Sequence, residues 1–272
     1  MLAADRVDEV EDLRGRSFAS AVGVWRVRAA GRSAVLKLLR LNAGPHPKWP
    51  SRPDPDDAYY WLREPLAYES GLLEPFGVPR LLARVDRPGG DVALWLEDGG
   101  DPYEQSWTPE LLAAAARRLG AAQRGLLGVD VPWLAHGWLR EYFRLHELPL
   151  GDGVLDRLDG VPQTLCHNDF HPDNILDSGL LIDWAFCGVG PVGMDAGVLV
   201  GDGLSDRRYP AEQVDEVFDA VWRAYTEGFG SDDDDVRYGF VQGIRRLRWL
   251  VRGRSPEWDS TIDFIERLGS GG

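Results

Sequence analysis

The chain has 272 residues, 44% of them apolar, and a formal net charge of −14. That length exceeds one ordinary domain yet is short for two independent ones, so two lobes sharing one cleft suit it. The acidic balance argues against a nucleic-acid binder, which needs a basic footprint, and no apolar run approaches the roughly 20 residues of a membrane-spanning helix.

Met1 to Glu11 is acidic and lacks the basic-then-apolar layout of a secretory signal. Cys166 and Cys187 are the only cysteines, which reads as two buried free thiols in a reducing cytoplasm. Strand-like segments follow near Val22 to Arg28, Ala34 to Leu39, Arg80 to Val85 and Val92 to Glu97. The turn Gly15 to Val22 precedes them, and small residues there would let backbone amides approach phosphate, with Ser17 or Ser20 adding hydroxyl donors. An ordinary hairpin reads equally well.

Lys37 is conspicuous because only two of the 30 basic side chains are lysines and this one lies in the apolar strand Ala34 to Leu39. A buried ammonium needs a partner. Glu64, on a helix opening near Pro65, is the candidate and Glu69 the reserve. A lysine snorkelling from an edge strand is the alternative. Residues 42–57 are rich in Pro and Asp, lack periodicity and read as a long exposed loop. Glu97 and Asp98, followed by Gly99 and Gly100, end the last strand as a hinge, where backbone groups would meet a nucleotide base.

Helical patterning begins at Thr108, a cap followed by Pro109 ahead of Leu111 to Leu126. In the middle of the chain stands His167-x-Asp169-x-x-x-x-Asn174, and nine positions later Asp183 follows the apolar Leu180-Leu181-Ile182, read as a strand. Phosphoryl transfer needs this set: one carboxylate beside the attacking hydroxyl, and an amide and a second carboxylate holding magnesium against the phosphates. Asp169 suits the first role, while Asn174 and Asp183 supply the oxygen ligands that hard Mg2+ takes. His167 reads as a loop-packing residue. Val214, Phe218, Val221, Trp222 and Tyr225 then form one apolar stripe, and Val236, Phe240, Ile244, Leu247 and Val251 a second. Ser231 reads as the cap before the acidic run Asp232 to Asp235. Ser255-Pro256-Glu257 opens a last helix carrying Ile262, Ile265 and Leu268, and Gly269 to Gly272 is expected to be disordered.

His167, Asp169 and Asn174, then Ile182-Asp183-Trp184, then Gly190-Pro191 and Asp195 resemble the aminoglycoside phosphotransferase and choline kinase-like family. Val35-Leu36-Lys37 and Arg63-Glu64 are similar in order and spacing to that family's small lobe, so the resemblance spans roughly residues 15 to 230. It implies an α+β, two-lobed protein-kinase-like fold. Residues 1–97 would form a small β-rich nucleotide-binding lobe with one main helix, and residues 98–272 a larger, mostly helical catalytic and acceptor-binding lobe. The implied reaction moves the γ-phosphate of ATP or GTP, with Mg2+, onto a small-molecule hydroxyl. Lys37 would face Asp183 across the nucleotide cleft, and Asp195 would brace the catalytic loop without reacting. Asn168 and Asp173 depart from the pattern, standing where Gly is usual.

Recognition of the acceptor is expected after Asp195, where Asp202 and Asp206 would attract the ammonium group of a small polar, cationic molecule, such as an aminoglycoside or another antibiotic. A metabolic amino alcohol, sugar or nucleoside-like acceptor is the alternative, and Arg245, Arg246, Arg248, Arg252 and Arg254 would favour an anionic one unless they form a solvated helix face. A protein kinase fits poorly, because only eleven residues separate Asp183 from Asp195. An inactive nucleotide-binding module would need to have lost Lys37, Asp169, Asn174 or Asp183, all of which are present. Oligomeric state has no readable signal.

Overall fold

Alternating apolar and polar side chains early in the chain build a five-stranded antiparallel sheet. Its strands are β1 (Glu9–Asp12), β2 (Ala21–Ala29), β3 (Arg32–Leu39), β4 (Leu81–Asp86) and β5 (Val92–Glu97), in the order β1-β2-β3-β5-β4. The third strand pairs with the second and the fifth, so Lys37 lies opposite Val24 on one side and Leu94 on the other. It is therefore a central-strand lysine, and the edge-strand reading fails. Leu39, Leu94 and Leu96 bury the inner face together with Ala67, Leu73 and Phe76. Helix α1 (Arg63–Ser70) takes Pro65 in its first turn and ends at Gly71, whose φ of 75° suits glycine.

The computed structural model describes residues 7–13, 20–43, 50–102, 106–145, 152–246 and 259–269. They divide into two units. The first takes in the sheet, α1, Pro132–Ala135 and Leu176–Phe186. The second takes in Pro102–Val131, His136–Ile175 and the chain from Cys187 onward. It holds α2 (Pro109–Gly125), α3 (Trp138–Leu145), α4 (Asp152–Gly160), α5 (Met194–Ser205), α6 (Val214–Phe229), α7 (Asp234–Arg245) and α8 (Asp259–Gly269). A short hairpin of β6 (Gln163–Cys166) and β7 (Gly188–Pro191) completes it. No described helix is long and apolar enough to cross a membrane.

Close helix approach organises the second unit. A Cβ on Gly120 of α2 would collide with the Tyr225 carbonyl of α6, and one on Gly197 of α5 with the Phe240 carbonyl of α7. Both stripes read from the sequence are core: Val214, Val221, Tyr225, Val236, Phe240 and Ile244 are buried, while Leu247 and Val251 lie outside the described residues. Thr108 caps α2, its hydroxyl accepting the Leu111 N–H.

Three local expectations are corrected. Asp233, not Ser231, caps α7, accepting the N–H groups of Asp235 and Val236 at 3.1 and 3.0 Å; Ser231 instead donates to that carboxylate. The aspartate accepts two amides of the helix's first turn, whereas the serine accepts only the Asp233 N–H, ahead of that turn, at 3.3 Å. The stretch before Asp183 is not a strand; Leu181 donates its N–H to the Gly77 carbonyl, and Asp183 itself turns left-handed. Residues 52–56 are exposed, as expected of that loop, and buried Arg63 fixes its end by donating to the carbonyls of Asp57 and Ala58 and to that of Trp133. Gly269 belongs to α8, whereas 270–272, like Ser255, Pro256 and Glu257, lie outside the described residues.

Candidate active site

In the first unit, three charged groups meet. The Lys37 ammonium lies 2.7 Å from Glu64 Oε2 and 2.8 Å from Asp183 Oδ1. Glu64 comes from the first turn of α1 and is only 3% exposed. Burial would discharge Lys37, but Asp183 and Glu64 outweigh it and raise its pKa above the ordinary lysine value. Burial pushes the Glu64 carboxyl up, against the pull of Lys37. Each group holds another in place. Glu69, the reserve partner, pairs with Arg84 instead.

Asp183 is presented by an anchored turn. Its φ of 64° lies in the left-handed region that aspartate tolerates better than most residues. The next residue, Trp184, is fully buried, meets Phe76 edge-on at 4.9 Å, and donates its indole N–H to the Leu181 carbonyl. Half of the Asp183 side chain stays exposed, and with one oxygen on Lys37 the other is available as a hard ligand.

The remaining nucleotide-side candidates fare differently. Asp98 is held by Arg26 Nε at 2.9 Å and by the Ser33 hydroxyl, while the same guanidinium reaches Gly100 O and Asp101. Its carboxylate is thus spent on fixing the segment after β5. Glu97 turns back toward the Arg80 N–H at 3.4 Å. Ser20 is buried, with its carbonyl accepting from the Arg40 N–H, and Ser17 lies outside the described residues.

In the second unit, the loop after β6 is gripped by its backbone. Fully buried Asp195, in the first turn of α5, accepts the N–H of His167 at 2.7 Å and that of Asn168 at 3.0 Å. Burial pushes its carboxyl up, while His167 and these two N–H groups pull it down. Behind it runs a buried polar chain: Gly193 N–H donates to Tyr225 Oη, which donates to Gln123 Oε1, whose amide donates to Asp195. Asn168 adopts φ 66°, so the loop turns sharply just before Asp169.

Asp169 and Asn174 come together there. The Asn174 amide nitrogen donates to the Asp169 carbonyl at 2.9 Å and lies 3.4 Å from its carboxylate, which leaves the amide oxygen as a ligand. His171 Nε2 stands 3.6 Å from Asp169 Oδ2. Burial would raise the Asp169 carboxyl, but His171, then His167 and Arg246, bring it down to about 2. Burial would lower His171, but Asp169 first, then Asp202 and Asp173, raise it to about 9. That outweighs a weak 3.3 Å cap in which its Nδ1 accepts the Asp173 N–H. Asp173 pairs with Arg208.

The two acceptor-side candidates separate. Asp202 is bound to Arg246 at 2.8 Å, so its charge is already met. Asp206, just past the end of α5, lies within 4.8 Å of His171; burial and then neighbouring Asp202 raise its carboxyl, while His171 and Arg208 pull it down. Arg246 is 4% exposed, so it is neither a solvated helix face nor an open anion site; Arg248, Arg252 and Arg254 lie outside the described residues. Gln123, Tyr225, His171 and Arg246 carry the loop and were not singled out individually in the sequence. Only His171, lying inside the motif, had a signal pointing to it.

A family model described as the phosphotransferase enzyme family matches residues 16–238. No curated protein sequence matches the chain. Among solved structures, an amicoumacin kinase in complex with AMP-PNP, Ca2+ and Ami is 17% identical, with a TM-score of 0.57 over 98% of this chain and 89% of that one. A microcompartment-associated aminopropanol kinase is 15% identical, with a TM-score of 0.56 over 96% and 89%. The GDP complex of aminoglycoside 2'-phosphotransferase-IIIa is 13% identical, with a TM-score of 0.55 over 97% and 93%. At these identities the likeness establishes the fold, a β-rich lobe and a helical lobe of the kinase-like type.

Proposed function

This chain belongs to the phosphotransferase enzyme family, and we propose that it transfers the γ-phosphate of ATP or GTP to a hydroxyl of a small polar acceptor bearing an amino group. The observation that carries the reading is that both side-chain sets required for the chemistry are assembled: Lys37 with Glu64 and Asp183 in one unit, Asp169 with Asn174 in the other. Transfer requires both sets to act on the same phosphoryl group.

Lys37 meets the nucleotide phosphates, and Glu64 keeps its ammonium aimed. Asn174 and Asp183 are oxygen donors that fit Mg2+, which neutralises phosphate charge when bound. Asp169 aligns the acceptor hydroxyl and accepts its proton as the new O–P bond forms and the bond to the leaving nucleotide oxygen breaks. With a pKa near 2 it is a weak base, so alignment is its larger contribution, which suits a loose transition state. Asp195 and His167 shape the loop.

For the acceptor, exposed Asp206 is the carboxylate assigned to receive an ammonium, since Arg246 already neutralises Asp202. An aminoglycoside-like antibiotic, with a self-protection role, is the first reading, and a metabolic amino alcohol the second. The aminopropanol kinase among the structural neighbours favours keeping the second. Buried, unbridged Cys166 and Cys187 suit a reducing cytoplasm.

Steady-state turnover with magnesium and either nucleotide, against amino-bearing, neutral and acidic alcohols, tests this. Amino-bearing acceptors should lead, with KM rising as salt is added and again in Asp206→Asn. Preference for a neutral or acidic acceptor would overturn the cationic assignment. Phosphorylation of no hydroxyl at all would overturn the whole reading.

A further inference from the structure

Arg246 occupies an unusual position for a guanidinium. It is 4% exposed, directly follows α7, and is buried beside the loop that presents Asp169. One nitrogen, Nη1, donates to the carbonyl of Asn168 at 3.1 Å, and Nη2 donates to Asp202 Oδ2 at 2.8 Å. Its plane is flanked by Tyr142 and Trp138, with ring centroids 5.5 and 6.0 Å from Cζ, and those two rings stack on each other at 4.9 Å. A buried arginine carries a large desolvation cost, which is tolerable only when its fork is satisfied on more than one side.

The contact with Asn168 completes a grip on one residue. Asp195 of α5 accepts the Asn168 N–H, and Arg246 donates to the Asn168 carbonyl. Both peptide units flanking a left-handed residue are therefore fixed, and the next residue is Asp169. The two gripping residues are held in register by the close approach of α5 and α7, where Gly197 lies against the Phe240 carbonyl and Gly243 against the Met194 carbonyl. Asp202, about two turns of helix along α5 from Asp195, gives the guanidinium its anchor.

We infer that Arg246 is a positioning residue for phosphoryl transfer, bridging Asp202 and the Asn168 carbonyl so that Asp169 is presented at a fixed angle to the acceptor hydroxyl. This rests on Asp169 having the role given above. Misplacement of a reacting group by about 1 Å can cost a hundredfold in rate, so the effect should fall on kcat. Binding of nucleotide, assigned to Lys37, Glu64 and Asp183, should be spared.

Arg246→Lys and Arg246→Met separate positioning from bulk packing. Lysine keeps the charge and can reach Asp202 or Asn168, but its single ammonium lacks the planar fork that spans both. We expect kcat to fall about tenfold in Arg246→Lys and about a hundredfold in Arg246→Met, with nucleotide Kd within twofold and acceptor KM changed far less than kcat. In parallel, amide hydrogen exchange should accelerate at least tenfold over residues 167–170 in both variants and stay unchanged over β2 and β3. If Arg246→Met does not fold, Arg246→Lys decides alone. A kcat within twofold of wild type, or unchanged exchange over 167–170, overturns the inference. A wild-type protein that phosphorylates no hydroxyl overturns the functional reading instead, and the exchange measurement still decides whether Arg246 fixes the loop.

Discussion

The two units secure their working residues by opposite means. In the first, side-chain charge does it: Lys37 pairs with both Glu64 and Asp183, and removing the lysine leaves buried Glu64 with an unmet desolvation cost. In the second, the backbone is held first. Asp195 and Arg246 fix the N–H and C=O of Asn168, and Asp169 is presented as a consequence. The difference suits the roles proposed for the two sets. Phosphates and a metal ion need charges in place, whereas an incoming hydroxyl needs a carboxylate at a set angle.

This contrast can be broken most severely at Lys37. Lys37→Met should destabilise the fold by roughly 3–5 kcal/mol, because Glu64 then lacks its cation. Chemical denaturation would show it, and Lys37→Met combined with Glu64→Gln should recover part of the loss. Equal stability in Lys37→Met and wild type would mean that the set is not held by charge. Asp169→Asn comes next: turnover should drop by about a hundredfold or more, while calorimetry finds nucleotide affinity nearly unchanged. Asp183→Asn should differ in kind. Asparagine tolerates the left-handed turn, so the lost charge dominates, and magnesium–nucleotide binding should weaken by about 1.5–3 kcal/mol alongside the rate. If the two Asp→Asn variants behaved alike in binding, the division between units would be wrong.

The smallest effect concerns pH. His171 has its pKa raised from 6.5 to about 9 in the folded state, so the stability it contributes is full below pH 6.5 and is lost as pH rises through 9. Asp169, lowered from 3.8 to about 2, contributes above pH 3.8 and loses that contribution as pH falls through 2. In His171→Gln the fall in Tm between pH 6.5 and 9 should be shallower than in wild type. An unchanged slope would show that the neighbouring carboxylates do not stabilise the protonated form of His171.

What was legible in the sequence followed from chemistry that needs particular residue types. A lone lysine in an apolar strand announced a partner, and Glu64 is there. The spacing of Asp169 and Asn174 in a tight turn announced that they meet, and they do. What was hidden depended on three-dimensional approach. Arg246 looked like one member of a basic cluster, since nothing local distinguishes a buried arginine from a solvated one. Gln123 and Tyr225 lie on helices with ordinary apolar patterning, and only packing brings them under Asp195. The strands of the β6–β7 hairpin are four residues each, too short for a periodic signal. Asp183 was placed on a strand because its apolar neighbours mimic one, when a fully buried Trp184 supplies the anchoring.

Formation of a phosphate ester by this chain can be read in phosphorus NMR spectra of the reaction mixture. With magnesium, ATP or GTP and an amino-bearing alcohol, a new phosphomonoester signal should grow in step with nucleoside diphosphate, and both should form about a hundredfold more slowly, or slower still, in Asp169→Asn at comparable protein concentration. Nucleoside diphosphate appearing with inorganic phosphate and no ester for any acceptor in the panel, or ester formation undiminished in Asp169→Asn, would contradict Asp169-dependent transfer.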